Sequence, residues 1–234
     1  SKITDYSFLF QSMFGTKSNV GMVNPLKVSD LSNGSLRSQL KAAGIDTNSA
    51  QYKAAVKQMT QHAGSGAMFT NVQAIKNLMS QYDKDGDYID PTTGLAGLLV
   101  TEENAVSRKT LISIPESSLD DMFELTKKEF LQENGMGNGD TTKRSEVYTD
   151  LHRKTSKNDR LKAGYTLSQY EKAYTQAFIA AAKAADPTWK AGKPIKAGAL
   201  DGITRESVES QLAKSGNKLV KRSSVSGSSL DIQV

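Results

Sequence analysis

The sequence predicts a mainly α-helical, soluble globular protein with at most one small β-hairpin. Apolar residues recur three and four positions apart over much of the chain, which is the period of an amphipathic helix. Capping residues precede several of these stretches, and Gly or Pro follows them. The chain has 234 residues, 37% of them hydrophobic, which is enough to form a core. No apolar run reaches the roughly 18 residues of a transmembrane helix.

Three helices are predicted in the first part of the chain. The first begins at Ser35 and is stopped by Gly44. The second, at about residues 49–62, and the third, at about residues 70–82, each present one apolar stripe at helical spacing. The two stripes consist of Tyr52, Ala55, Val56 and Met59, and of Val72, Ile75, Met79 and Tyr82.

The middle of the chain combines short apolar runs with a strong helix signal. Residues 95–100 and 110–114 fit either two strands of a small hairpin or buried coil, because periodicity alone does not separate the two. A helix is predicted after Pro115, with Asp120 and Asp121 in its first turn, where they complement the helix dipole. Its apolar stripe is Leu119, Met122, Phe123 and Phe130.

Three more helices are predicted towards the C-terminus. One lies near residues 142–155, with Val147 and Leu151 inward. The clearest begins at a Thr166–Gln169 capping box, and a last short helix covers residues 204–214. The stripe of the clearest helix is Leu167, Tyr170, Tyr174, Phe178 and Ala181.

Composition divides the chain into five segments. They are an N-terminal arm (1–34), a helical region with an acidic loop (35–133), a Gly-rich connector (134–140), a basic helical region (141–222) and a flexible tail (223–234). Residues 1–140 carry a net charge of −3 and residues 141–234 carry +8. A basic half of this kind fits either an acidic partner or a solvated surface.

The arm carries large apolar side chains that are costly to leave in water. They are Phe8, Leu9, Phe10, Met13 and Phe14. The segment has no basic flank to hold anionic lipid, so membrane anchoring is not expected. We expect the arm to dock on its own domain, on a protein partner or on a second copy of the chain.

Several chemistries have no signature in the sequence. The chain lacks cysteine, which excludes disulfides and thiolate catalysis. Its two histidines, His62 and His152, lie on different predicted helices, and no Gly-x-Ser-x-Gly or His-Glu-x-x-His motif occurs. The basic run at residues 218–222 has no aromatic neighbours, so a nucleic-acid partner is not expected. Composition does not choose between a cytoplasmic protein and one exported without a visible signal peptide.

Residues 83–90 form the one stretch with a defined chemistry, an acidic loop that follows a predicted helix. Asp83, Asp85 and Asp87 alternate, and Asp90 follows. A hard cation such as Ca²⁺ takes six to eight oxygen ligands, and alternating carboxylates in a loop turned by Gly can supply several of them. The backbone carbonyl of Tyr88 or of Ile89 is a candidate for a further ligand.

This loop resembles the opening of an EF-hand calcium loop, which reads Asp-x-Asp-x-Asp-Gly. The resemblance covers about eight residues. Tyr88 occupies the position of the EF-hand glycine, and Gly94 that of the bidentate glutamate. A shortened calcium loop, completed by Asp90 or by Glu102 or Glu103, stays open, as does an acidic turn that only ends a helix. In general pattern the whole chain is similar to uncharacterised bacterial proteins, which implies no activity.

Two functions follow from these observations. The first is a non-enzymatic protein with a structural calcium site that acts in interaction or assembly. The alternative is an enzyme whose site is assembled from dispersed residues and is therefore not visible as a linear motif.

Overall fold

A computed structural model describes residues 26–27, 34–62, 69–70 and 72–222. The chain splits into two compact units, Ser1–Val100 and Thr101–Val234. The apolar side chains predicted to dock the arm, and the tail, lie outside the described residues. None of the described helices combines the length and the apolar character that crossing a membrane requires.

The described residues of the first unit form three helices and a short pair of strands. In chain order they are β1 (Leu26–Lys27), α1 (Gly34–Ala42), α2 (Ala50–His62), β2 (Phe69–Thr70) and α3 (Val72–Met79), with β1 antiparallel to β2. The core is formed by Leu40, Ile45, Tyr52, Ala55, Met59, Ile75, Leu78, Tyr82 and Tyr88. Val56, Val72 and Met79 pack against it partly exposed, so both predicted stripes face this core.

The second unit contains the longest of the described helices and a hairpin. In chain order they are α4 (Glu116–Gln132), α5 (Thr142–Arg153), the 3₁₀ turn Lys157–Asp159, α6 (Arg160–Ala185), α7 (Arg205–Glu209), β3 (Leu212–Ser215) and β4 (Lys218–Lys221). α4, α5 and α6 pack on one another. The whole predicted stripe of α4 is buried, as is Leu151 of α5. The mainly α class, with one hairpin of two four-residue strands, is thereby confirmed.

Helix α6 begins at Arg160, six residues earlier than the capping box predicts. Thr166 therefore lies inside the helix, where its hydroxyl donates to the carbonyl of Lys162 at 2.8 Å and accepts the N–H of Ile112 at 3.0 Å. The prediction of an N-cap was wrong because residues 160–165 continue the helix through packing, with Ala163 fully buried. Thr166 instead fastens the 110–114 segment to α6.

The hairpin forms at a different place from the two apolar runs considered for it. Residues 95–100 and 110–114 do not pair and form partly buried coil, apart from one bridge between Ile89 and Ala96. The observed hairpin pairs β3 with β4 around a two-residue turn, and β3 replaces the last three residues of the helix predicted at 204–214. α7 does begin after Thr204, whose side chain forms a capping box with Ser207. Pairing with a partner strand overrides the moderate helix propensity of this segment.

The Gly-rich connector at 134–140 lies within the second unit, between two helices that pack together, α4 and α5. The division between compact units falls instead after Val100. Asn134 and Gly135 have positive φ values of 50° and 77°, which turn the chain at the end of α4. Gly135 approaches the ring of Trp189 so closely that an added Cβ would lie 2.9 Å from it. The start of the connector is therefore packed against the core that Trp189 joins, whereas residues 136–140 are exposed.

Candidate metal site in the acidic loop

The acidic loop is a closed turn at the end of α3. The N–H of Asp83 donates to the carbonyl of Asp87 at 2.8 Å, and the N–H of Gly86 donates to the carbonyl of Asp83 at 3.0 Å. Tyr82 and Tyr88 form a β-bridge across the base of the turn, and their rings meet edge to face with centroids 5.9 Å apart. Both tyrosines are buried, so the turn extends from a fixed base.

The structure brings together three of the five predicted site residues. One carboxylate oxygen from each of Asp83, Asp85 and Asp87 lies within 4.8 Å of the others. Calcium–oxygen distances are about 2.3–2.6 Å, so two ligands on opposite sides of one ion lie about 4.6–5.2 Å apart. The three oxygens can therefore contact a single ion of this size. A smaller hard cation such as Mg²⁺ also takes carboxylate oxygens, so the triad by itself does not specify the metal.

Asp83 also organises the backbone of the loop. Its Oδ1 accepts the N–H of Asp85 at 3.0 Å and the N–H of Asp87 at 2.8 Å. These bonds direct the chain back over the Asp83 carboxylate, which is why side chains two residues apart converge instead of alternating away from each other. Three carboxylates this close repel one another by about 1 kcal/mol per pair in water, a cost that a cation offsets.

The other two predicted site residues have different surroundings. The Asp90 carboxylate accepts the N–H of Thr92 at 2.8 Å, and the Asp90 carbonyl accepts the N–H of Gly94 at 2.7 Å. Asp90 thus closes the next turn and is not one of the three converging carboxylates. Ile89 donates its N–H to the carbonyl of Gln81 at 2.8 Å, and a role for its own carbonyl as a ligand stays a prediction.

Gln51, which the sequence did not single out, and Gly86 within the acidic run hold the loop against α2. The side-chain amide of Gln51 donates to the carbonyl of Met79 at 2.8 Å and to that of Tyr82 at 2.9 Å, so it binds both the last residue of α3 and the base of the loop. Gly86 has a φ of +83°, and an added Cβ would lie 2.9 Å from the carbonyl oxygen of Ala50. The glycine inside the acidic run was the available signal, since a Gly is needed where backbone approaches backbone closely.

The similarity to an EF-hand does not extend beyond the spacing of the acids. An EF-hand loop joins two helices. Here the loop follows α3, but residues 88–115 form bridges, turns and coil, and the next described helix is α4.

Asp120 and Trp189 make contacts that hold parts of the second unit together. Asp120 accepts a hydrogen bond from Arg205 at 2.6 Å. Trp189 is buried, its Nε1 donates to the carbonyl of Lys193 at 2.7 Å, and its ring lies 5.8 Å from that of Phe130. Trp189 therefore anchors the coil that follows α6 to the core of the second unit.

Together these features define a mainly helical protein of two compact units, with an acidic triad that is a candidate cation site on the first. The family model described as Domain of unknown function (DUF3879) matches residues 45–234, and the chain belongs to this family. Comparisons with curated proteins and with solved structures found no match. The family match includes both the acidic loop and the whole described part of the second unit.

Proposed function

We propose that the protein is a non-enzymatic component of an interaction or assembly, and that Ca²⁺ bound by Asp83, Asp85 and Asp87 stabilises its first unit. The observation that carries this proposal is the convergence of the three carboxylates within 4.8 Å. Asp90, through the turn that it closes, and the carbonyl of Ile89 are the nearest candidates in the chain for additional oxygen ligands. Water would complete the six to eight ligands that Ca²⁺ takes.

The position of the loop explains how an ion there would stabilise the unit. Three residues separate the end of α3 from the loop, and Gly86 packs on the backbone of α2. Gln51 of α2 also donates to the carbonyl of Met79, the last residue of α3, and to that of Tyr82 at the base of the loop. An ion that orders the loop therefore favours the arrangement in which α2 and α3 are packed, which the unfolded chain lacks.

The interaction part of the proposal rests on the sequence. The apolar arm, residues 1–34, supplies a segment that gains free energy when it is covered. The net charge of +8 over residues 141–234 would favour an acidic partner surface. The stabilising ion and the partner are separate claims and are tested separately.

Calorimetric melting of the full chain tests the calcium claim. A site with three protein carboxylates is expected at the weak end of calcium affinities, with a Kd of about 1 mM. At about 10 mM Ca²⁺ such a site raises the free energy of unfolding by about 1.4 kcal/mol. For a unit of this size the melting temperature should then rise by about 5–10 °C after chelator treatment and calcium addition.

A pair of matched double variants separates the site from general charge effects. Asp85→Asn with Asp87→Asn removes two of the three carboxylates and should abolish most of the calcium-dependent rise. Asp46→Asn with Asp121→Asn changes the net charge by the same amount at exposed positions and should retain it. A melting temperature that millimolar Ca²⁺ leaves unchanged in the parent protein, or raises equally in both variants, contradicts the proposal.

A further inference from the structure

The second unit contains a cavity of about 350 Å³, which is within the range of small-molecule sites. It lies between the 111–114 segment, the start of α4, the middle of α6 and the β3–β4 hairpin. Leu111, Ile114, Leu119 and Leu219 give it apolar walls. Its polar lining includes two carboxylates and a phenol, so the cavity combines an apolar body with a localised polar region.

The carboxylates that line the cavity belong to a cluster with surplus negative charge. The Arg205 guanidinium forms ion pairs with Glu116, with Asp120 at 2.6 Å and with Glu209 at 2.5 Å. Three carboxylates share one cation, which leaves two negative charges uncompensated within the cluster. Glu116 and Glu209 are also part of the cavity wall, whereas Asp120 and Arg205 are not among its lining residues.

Tyr170 shows that this charge reaches the cavity. Its ring lines the cavity one helical turn from Thr166, and among the described residues its hydroxyl has no hydrogen-bond partner. Burial raises the pKa of Tyr170, and Glu209 and Glu116 raise this pKa further, more than Arg205 lowers it. The phenol is therefore neutral, and the two glutamates together outweigh Arg205 in their effect on it.

We propose that this cavity binds a small organic ligand with an apolar body and one ammonium group, the ammonium lying near Glu116, Glu209 and the ring of Tyr170. An ammonium compensates the surplus of the cluster, and it gains a cation–π contact with the tyrosine ring. The apolar body displaces water from the leucine and isoleucine walls. A ligand carboxylate would add to the surplus instead. Lys214 also lines the cavity and offsets one of the two surplus negative charges. One ammonium group on the ligand is therefore sufficient to offset the other.

Two probes with the same aromatic body and opposite charge test the proposal. 2-Phenylethylammonium and 3-phenylpropionate are titrated separately into the full chain and followed by nitrogen–proton NMR spectra. The ammonium should bind with a Kd of about 1 mM, as expected for a ligand of this size. 3-Phenylpropionate should bind at least tenfold more weakly. Equal binding of the two probes, stronger binding of the carboxylate, or binding of neither would overturn the proposal.

Matched variants locate the binding. Glu116→Gln removes a charge from the cavity wall and should raise the Kd of the ammonium about fivefold. Asp120 contacts the same guanidinium but lies outside the cavity, so Asp120→Asn should change the Kd less than twofold. Tyr170→Leu should weaken binding by a similar factor, and Tyr165→Leu, on the same helix outside the cavity, should not. Both glutamine and asparagine changes are at largely exposed side chains, so folding is retained. If Glu116→Gln and Tyr170→Leu both bind like the parent, the ligand lies elsewhere and the assignment is wrong.

Discussion

Replacement of Phe178 by Ala tests the packing of the second unit. Phe178 is fully buried on α6, and its ring lies 5.5 Å from that of Phe123 and 5.7 Å from that of Phe130, both on α4. The ring therefore joins the two longest helices of the unit. Truncation would remove the apolar contacts and leave a space that the surrounding side chains fill only in part.

The expected loss of stability follows from these contacts. Phe→Ala in a core costs about 3–5 kcal/mol, through lost burial and the cavity that remains. Each aromatic pair adds about 0.5–1.5 kcal/mol beyond its buried area, and Phe178 takes part in two such pairs. We therefore expect a value in the upper half of the range, about 4–5 kcal/mol.

Urea unfolding followed by tryptophan fluorescence provides the assay. Trp189 is the only tryptophan and stacks beside Phe130, so its emission reports on this core. With a slope of about 2 kcal/mol/M, the unfolding midpoint of Phe178→Ala should fall by about 2 M. Gln176→Ala, an exposed position on the same helix, should change the stability by less than about 0.5 kcal/mol. A loss below about 1 kcal/mol for Phe178→Ala, at an unchanged slope, would refute the packing described for α6.

Two further expectations concern the connector and the arm. Gly135→Ala places a Cβ against the Trp189 ring at a positive φ, so it should destabilise the second unit and shift the tryptophan emission, whereas Gly137→Ala, also at positive φ but with open space around it, should cost only the backbone strain of about 1 kcal/mol. Deleting residues 1–15 should lower the melting temperature or dissociate an oligomer in sedimentation velocity. If the truncated chain melts and sediments like the parent while only the parent floats with liposomes, the arm is a membrane element.

The helical stripes were predictable because the buried face of a helix follows from the spacing of apolar residues within a short stretch of sequence. In α4, Leu119, Met122, Phe123 and Phe130 recur at three, four and seven residues, and all four are buried. This buried face can be predicted without knowing which other helix or strand packs against it. The same holds for Leu151 on α5.

The errors fall where a distant part of the chain decides the local structure. Thr166 with Gln169 has the sequence of a capping box, but the Thr166 hydroxyl bonds Ile112, and the Gln169 side chain accepts the N–H of Leu219 at 3.3 Å. The sequence of β3 alone predicts the end of a helix, and the segment is a strand because it pairs with β4. Both outcomes depend on contacts that a window of ten residues does not contain.

The candidate metal site shows the same division. The alternation of acids was sufficient to select Asp83, Asp85 and Asp87, because a turn held by the first carboxylate brings the next two back to it. Asp90 was grouped with them only by proximity in sequence, and the structure uses its carboxylate in the following turn. The role of Gln51 required knowing that α2 packs beside the end of α3.

Terbium luminescence tests the cation site most directly. Tb³⁺ is a hard cation that replaces Ca²⁺, and its emission is sensitised by nearby phenol rings such as those of Tyr82 and Tyr88, which meet at the base of the loop. Excitation of tyrosine should produce saturable terbium emission that added Ca²⁺ displaces. Asp85→Asn with Asp87→Asn should lose most of this emission, and Asp46→Asn with Asp121→Asn should keep it. Absence of displaceable emission in the parent, or equal emission from both double variants, would contradict a cation site at the acidic loop.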